Sequence, residues 1–298
     1  MFDSEIEGFI DALILERGLS KNTCDAYARD LRLFANWLKS KGKSAASQIT
    51  LSDITEFLAS ERRAGMLSTT RARRTAAIRM WLKHLKERRV VSNNPSELME
   101  SPKKGRSLPK VLSEEEIIAM IEAVNGDDPR SIRDRAILEC LYSCGFRVSE
   151  LCDFAISDIV ADGELIRIFG KGSKERLVPI GGVAGRALLR YLNESRATFA
   201  RDNLAETHVF LTRLGKRFTR QGIFKIIRER AAFVGIAADR VSPHVLRHCF
   251  ASHMLSRGAD IRAIQELLGH ADVGTTQIYT HVDAAKFADI HQQHHPRA

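Results

Sequence analysis

Along the first hundred residues apolar positions recur every third or fourth residue, and polar runs divide them into four helices. Ser4 and Glu7 have the spacing of a capping box. Phe9, Ile10, Leu13 and Ile14 follow at helical spacing, and Gly18 ends the run. Ser20 opens a second helix with Tyr27, Leu31, Phe34 and Leu38 on one face, ending near Gly42. Thr50 and Asp53 open a third, with Ile54, Phe57 and Leu58, ending before Gly65. Ser68 opens a fourth, with Ile78, Trp81, Leu82 and Leu85, and Asn93-Asn94-Pro95 stops the helix. Four short amphipathic helices cannot bury their apolar stripes singly, so residues 1–100 are expected to form a helical bundle.

The pattern breaks at residues 101–110, where two prolines, a glycine and four basic residues make the best linker in the chain. Residues 111–298 then form a second domain. It starts with another capping box, Ser113 and Glu116, ahead of Ile117, Ile118 and Ile121. Leu165, Ile166, Ile168 and Phe169 read as a strand, Gly170-Lys171-Gly172-Ser173 as its turn, and Leu177, Val178 and Ile180 as the return strand. Helices are expected over 182–199, 220–234, 243–257, 261–268 and 275–281. The predicted fold is mainly α: a four-helix N-terminal domain and a mostly helical α/β domain with a small hairpin.

A chain of 298 residues has room for two domains with cores of their own. Its 44% hydrophobic and 28% charged residues are ordinary for a globular protein and exclude global disorder. No 18-residue stretch lacks charge, so no membrane span is expected, and the N-terminus lacks the basic and apolar regions of a secretory signal. Five cysteines, none in a C-x-x-C pair, read as reduced, mostly buried thiols; the expected location is the cytoplasm. The net charge is +9, and its placement says more than its size: residues 61–106 hold 13 Lys+Arg against 4 Asp+Glu. A stripe of that density suits DNA phosphates, with Arg71, Arg73, Arg74, Arg79 and Lys83 as candidate contacts. A solvated helix face is the plainer alternative.

Candidate chemistry is scattered. Ser242-Pro243-His244-Val245-Leu246-Arg247-His248 places Pro243 at a helix start, with His244 and Arg247 three apart on one face. His244 and His248 also have the i, i+4 spacing of metal ligands, but no H-E-x-x-H glutamate stands at 245. Arg147 lies in Gly-Phe-Arg-Val-Ser-Glu, Lys171 at the hairpin turn, His270 in Leu-Leu-Gly-His, and Tyr279 in Thr-Thr-Gln-Ile-Tyr-Thr-His. Each has a structural alternative: Arg147 an ion-pair partner of Glu150, Lys171 an exposed turn residue, Tyr279 a core tyrosine.

In this order the fragments resemble the tyrosine site-specific recombinases: Arg, a hairpin Lys, H-x-x-R, Gly-His, then Tyr near the C-terminus. Arg147, Lys171, His244, Arg247, His270 and Tyr279 fill all six positions, and the basic helical N-terminal part matches that family's core-binding domain. The sequence departs mildly at Phe146 and Cys249, neither of them catalytic. The resemblance implies cutting and rejoining of DNA through a 3′-phosphotyrosine. Tyr279 would attack, Arg147 and Arg247 would clamp the phosphate, and His270 would add a hydrogen bond. His244 would be the general base and Lys171 the general acid. Glu150 would orient the site. No cofactor and no metal is expected.

The resemblance also implies double-stranded DNA with a dif-like site, a second recombinase of the same family in a heterotetramer, and an FtsK-type translocase as activator. A C-terminal helix within 283–298 would dock on a neighbouring subunit. The expected role is resolution of chromosome dimers at cell division. A mobile-element integrase and a type IB topoisomerase share the catalytic set and remain alternatives. A DNA-binding architectural protein with a decayed site is the third, and the intact set argues against it.

Overall fold

The computed structural model describes residues 2–15, 19, 21–99, 111–169, 175–201, 203, 205–269 and 281–298. The chain divides into two compact units, Met1–Ser107 and Leu108–Ala298.

The first unit is the predicted bundle: α1 (Phe2–Leu15), α2 (Lys21–Ser40), α3 (Leu51–Arg63) and α4 (Ser68–Glu87). Trp81, Ile78 and Leu82 of α4 are closed off by Phe2 and Ile6 of α1, Leu31 and Phe34 of α2, and Phe57 of α3. Thr50 and Asp53 cap α3 reciprocally, as their spacing predicted. Helix α1 instead starts two residues before Ser4. Phe2 is 1% exposed and edge-on to Trp81, so core packing rather than the Ser4 cap sets the start. Ser68 is likewise the first residue of α4, not its cap.

The second unit is mostly helical around a small sheet. Its first helices are α5 (Glu114–Glu122), α6 (Pro129–Ser143) and α7 (Val148–Asp153). Three antiparallel strands follow in the order β1 (Ile159–Val160), β2 (Leu165–Phe169), β3 (Glu175–Pro179). Strand β1 is an addition to the predicted hairpin. Then come α8 (Gly182–Arg190), a π-turn at Tyr191–Ser195, and α9 (Arg196–Ala200). The chain closes with α10 (Arg220–Phe233), α11 (Pro243–Ser256), α12 (Ile261–Leu268) and α13 (His281–His294). Helix α6 is the core: Ile137, Leu138, Cys140, Leu141 and Tyr142 are all fully buried. All five cysteines are buried and unpaired, as expected of thiols packed as small hydrophobes. Among the described residues no helix is long and apolar enough to cross a membrane.

In the single chain the C-terminal segment packs on its own unit. Phe287, His291, His295 and Arg297 are buried there. The His291 Nε2–H donates to the Ser143 carbonyl at 2.8 Å, and Arg297 forks onto Glu139 of α6 at 2.8 and 2.5 Å. Apolar packing and a buried ion pair hold the segment against α6.

Candidate active site

Ser242 caps α11, its hydroxyl accepting from the Val245 amide at 3.2 Å, and Pro243 takes the first turn. This start sets the phase of the helix. Arg247 turns inward at 7% exposure while His244, one turn earlier, is exposed.

Arg147 arrives from another element. It is the N-cap of α7, with extended backbone, rather than a residue within the helix that carries Glu150. Its amide donates to Glu150 Oε2 at 2.7 Å and its Nη1 to Oε1 at 2.7 Å. Gly145, two residues earlier, has φ +58°. A Cβ there would come within 2.9 Å of both Leu268 and Phe250 side-chain atoms, so only glycine lets the chain pass between α11 and α12.

Helix α12 closes the cluster. Three successive carbonyls at its C-terminal end each accept from a different guanidinium: Leu267 from Arg176 Nε at 2.8 Å, Leu268 from Arg247 Nη2, and Gly269 from Arg147 Nη2 at 3.1 Å. A helix ends in unpaired carbonyls and the negative pole of its dipole, so three cations are well matched there. Arg247 Nη1 also donates to the Gly145 carbonyl at 2.5 Å.

One carboxylate sits among these three guanidiniums. Burial works against the charge of Glu150, but hydrogen bonds and attraction from Arg176 and then Arg147 outweigh it and hold the carboxyl below its usual range. For Arg247, burial first and then repulsion by Arg147 and Arg176 push the guanidinium down to about 9, which leaves it charged at neutral pH. Three positive charges against one negative make an electropositive cluster suited to a phosphate oxyanion.

Lys171, His270 and Tyr279 lie outside the described residues, as does the linker at 101–110. Strands β2 and β3 pair as predicted on either side of 170–174, and Gly269 immediately precedes His270. Of the six candidates, the structure thus brings together Arg147 and Arg247, with His244 one turn away on α11. Among the described residues no group of three His, Cys, Asp or Glu could hold a metal ion.

Arg176 escaped the sequence reading, although a signal was there. With a period of two it shares a face with Val178, which makes a charged residue on the apolar side of a strand.

The basic stripe of α4 proves mixed. Arg74 is not presented to solvent: at 7% exposure it bonds Asp30 through Nε at 3.1 Å and pairs with Glu61. Arg73 Nη1 lies 3.0 Å from Asp30, and Arg79 donates to the Met99 carbonyl. Arg71 is half-buried. Lys83 is exposed beside Glu87, as are Arg62, Arg63, Arg88 and Arg89. The buried guanidinium of Arg74 therefore ties α4 to α2 and α3, and the exposed cations remain as DNA candidates.

Comparisons with known proteins agree along the chain. The phage integrase family matches residues 110–286, and the phage integrase N-terminal SAM-like domain matches residues 6–89. Tyrosine recombinase XerD of Oceanobacillus iheyensis is 41% identical over 299 residues, covering 100% of each chain. Tyrosine recombinase XerD of Proteus mirabilis is 42% identical over 295 residues, covering 99% of this chain and 94% of that one. Among solved structures, the XerH site-specific recombinase bound to palindromic difH in a post-cleavage complex shares the fold. Its TM-score is 0.70 at 23% identity, over 96% of this chain and 83% of that one.

Proposed function

The chain belongs to the phage integrase family and is a site-specific tyrosine recombinase; on that premise we propose how its residues divide the work. Tyr279 attacks the scissile phosphorus and forms a 3′-phosphotyrosine, and a 5′-hydroxyl leaves. Each transesterification exchanges one phosphodiester for another, so rejoining needs no ATP. A free phenol has a pKa of ~10, so the nucleophile needs a base, and exposed His244 takes that role. Lys171, which falls between β2 and β3 in the sequence, protonates the leaving 5′-oxygen. Arg147, Arg247 and His270 hold the non-bridging oxygens as charge builds on them. Glu150 orients Arg147.

The observation that carries this reading is the convergence of Arg147 and Arg247 on the end of α12, from which the chain runs directly into His270. The guanidiniums are held by backbone carbonyls and Glu150 before substrate arrives, so little reorganisation remains for the chemical step.

Residues 1–100 act as the DNA-binding core-binding domain, 101–110 as linker and 111–298 as the catalytic domain, and the substrate is double-stranded DNA. The full-length match to XerD proteins supports action at a dif-like site with a XerC-type partner in a heterotetramer, and activation by an FtsK-type translocase. The process served is resolution of chromosome dimers during cell division.

Covalent trapping tests this. The protein is incubated with a nicked dif-like duplex, without metal or ATP, alone and with a XerC-type partner, then resolved on a denaturing gel. The expected result is an adduct that Tyr279→Phe abolishes while binding DNA normally. An adduct of undiminished yield from Tyr279→Phe would place the nucleophile elsewhere.

A further inference from the structure

We propose that Arg176 is a positioning residue for the recombination reaction, setting Glu150, and through it Arg147, while fixing the end of α12 that leads into His270. The proposal rests on the reading above, in which Arg147 clamps the scissile phosphate.

Arg176 stands on the inward face of β3, opposite Ile168 and in line with Val178, where the strand pattern calls for a hydrophobic residue. It is 3% exposed, yet every guanidinium nitrogen has a partner. Nε donates to the Leu267 carbonyl at 2.8 Å, Nη1 to Glu150 Oε1 at 3.0 Å and Nη2 to Glu150 Oε2 at 2.8 Å. The same two oxygens accept from Arg147: Oε1 from its Nη1 and Oε2 from its amide, each at 2.7 Å. Glu150 is thus a plate held on one side by the Arg176 fork, with Arg147 hung on the other.

Energetics separate this from a packing role. A buried Arg–Glu pair is poor evidence of stability, because desolvation of both charges offsets their attraction, and apolar replacements often do as well. What the fork adds is direction. A planar guanidinium fixes the carboxylate in two dimensions, which an ammonium cannot do. With Arg176 removed, Glu150 keeps its two bonds from Arg147 and the more distant Arg247, 3.8 Å away, but loses the fork that braces it from β3. The approach on α12 is equally close: a Cβ at Gly269 would sit 3.1 Å from Arg176 Cδ. One side chain thereby ties β3, the strand that follows Lys171 in sequence, to the Arg147 cap and to the end of α12.

The charged groups facing Glu150 are Arg147 at the start of α7, Arg176 from β3 and Arg247 from α11. Arg176 also faces the Cys144 thiol at the end of α6, which burial keeps protonated. Loss of Arg176 leaves Glu150 buried with less positive charge beside it, so it holds its proton to higher pH.

The test measures single-turnover adduct formation on the nicked duplex across pH, together with DNA affinity, for Arg176→Gln, Arg176→Lys, Glu150→Gln and the Arg176→Gln/Glu150→Gln pair. For Arg176→Gln the expected rate loss is about 10- to 100-fold, with DNA binding nearly unchanged and the acid limb of the profile moved to higher pH. Arg176→Lys restores the acid limb but only part of the rate, and it carries the test if the glutamine variant does not fold. On the Glu150→Gln background, Arg176→Gln costs less than it does alone, the remainder being its bond to the end of α12. An unchanged rate and profile, an equal loss of DNA binding and rate, or a full second loss on the Glu150→Gln background would each overturn the proposal. Arg147→Ala in the same assay separates the two readings. If it keeps the wild-type rate, the phosphate clamp fails; if it is inactive while Arg176→Gln is unaffected, only the positioning role fails.

Discussion

Arg297 closes a fork on Glu139 at the centre of the second unit, Nε to Oε2 at 2.8 Å and Nη2 to Oε1 at 2.5 Å, with the glutamate fully buried. The pair fastens the segment after α13 to α6, the helix around which the core is built. Arg297 also reaches Glu122 at the end of α5, at 3.1 Å.

Arg297→Met should therefore destabilise the protein by ~3 kcal/mol or more, because it strands a buried carboxylate. Urea denaturation of the second unit would read the loss. Adding Glu139→Gln should recover part of it, since no charge is then left unpaired. Equal stability of the Arg297→Met single variant and the wild type would mean that the fork contributes nothing net.

His291 is buried in a stack against His295, 4.5 Å between ring centroids, and burial pushes its pKa down to about 4. The unfolded chain takes up a proton near the ordinary value of 6.5, and the folded chain resists until about 4. Stability is therefore whole above 6.5, falls as pH drops through that window, and by its lower end has lost ~3 kcal/mol from this group. His291→Asn should flatten that part of the stability–pH curve in titrated denaturation. A curve of unchanged slope would remove His291 as the cause.

Gly145→Ala should cost ~2 kcal/mol or more, from a positive φ and from contacts with Leu268 and Phe250 that α11 and α12 cannot relieve without moving. Those helices carry Arg247 and the carbonyls that hold the cluster, so adduct formation should fall along with the melting temperature. Wild-type values for both would show that the chain can shift here at little cost.

In the first unit, Arg74→Ala and Lys83→Ala should separate folding from DNA binding. Arg74 is buried between Asp30 and Glu61, so its loss should lower the unfolding midpoint. Lys83 is exposed, so its loss should leave stability alone and reduce the slope of log affinity against log salt by ~1 if it meets a phosphate. An unchanged slope would turn Lys83 away from DNA.

Arg247→Lys should bind DNA yet form adduct ~100-fold more slowly or worse. A lysine cannot span the Gly145 and Leu268 carbonyls and still present a second edge to phosphate. Single-turnover cleavage would decide it, with undiminished rates showing that charge alone suffices at this position.

The sequence by itself determined the elements and the kind of chemistry. Periodicity at Ile54, Phe57, Ile78, Trp81 and Leu82 gave the bundle, because an amphipathic helix declares its buried face locally. Caps at Thr50 and Ser113 were legible for the same reason: each bonds an amide three residues away. Arg147, Arg247 and the strands flanking Lys171 were recognisable as ordered motifs. Tertiary structure decided what lies between them. Glu150 and Arg176 are 26 residues apart, and Arg176 and Leu267 are 91 apart. No local rule sees either pairing, because both exist only when β3, α7 and α12 meet. The same holds in α4, where neighbouring arginines in one basic run have different fates. Asp30, 44 residues from Arg74, takes that guanidinium out of solvent, while Lys83 stays at the surface. Charge density is written in the sequence; which charges remain available is settled by what packs against them.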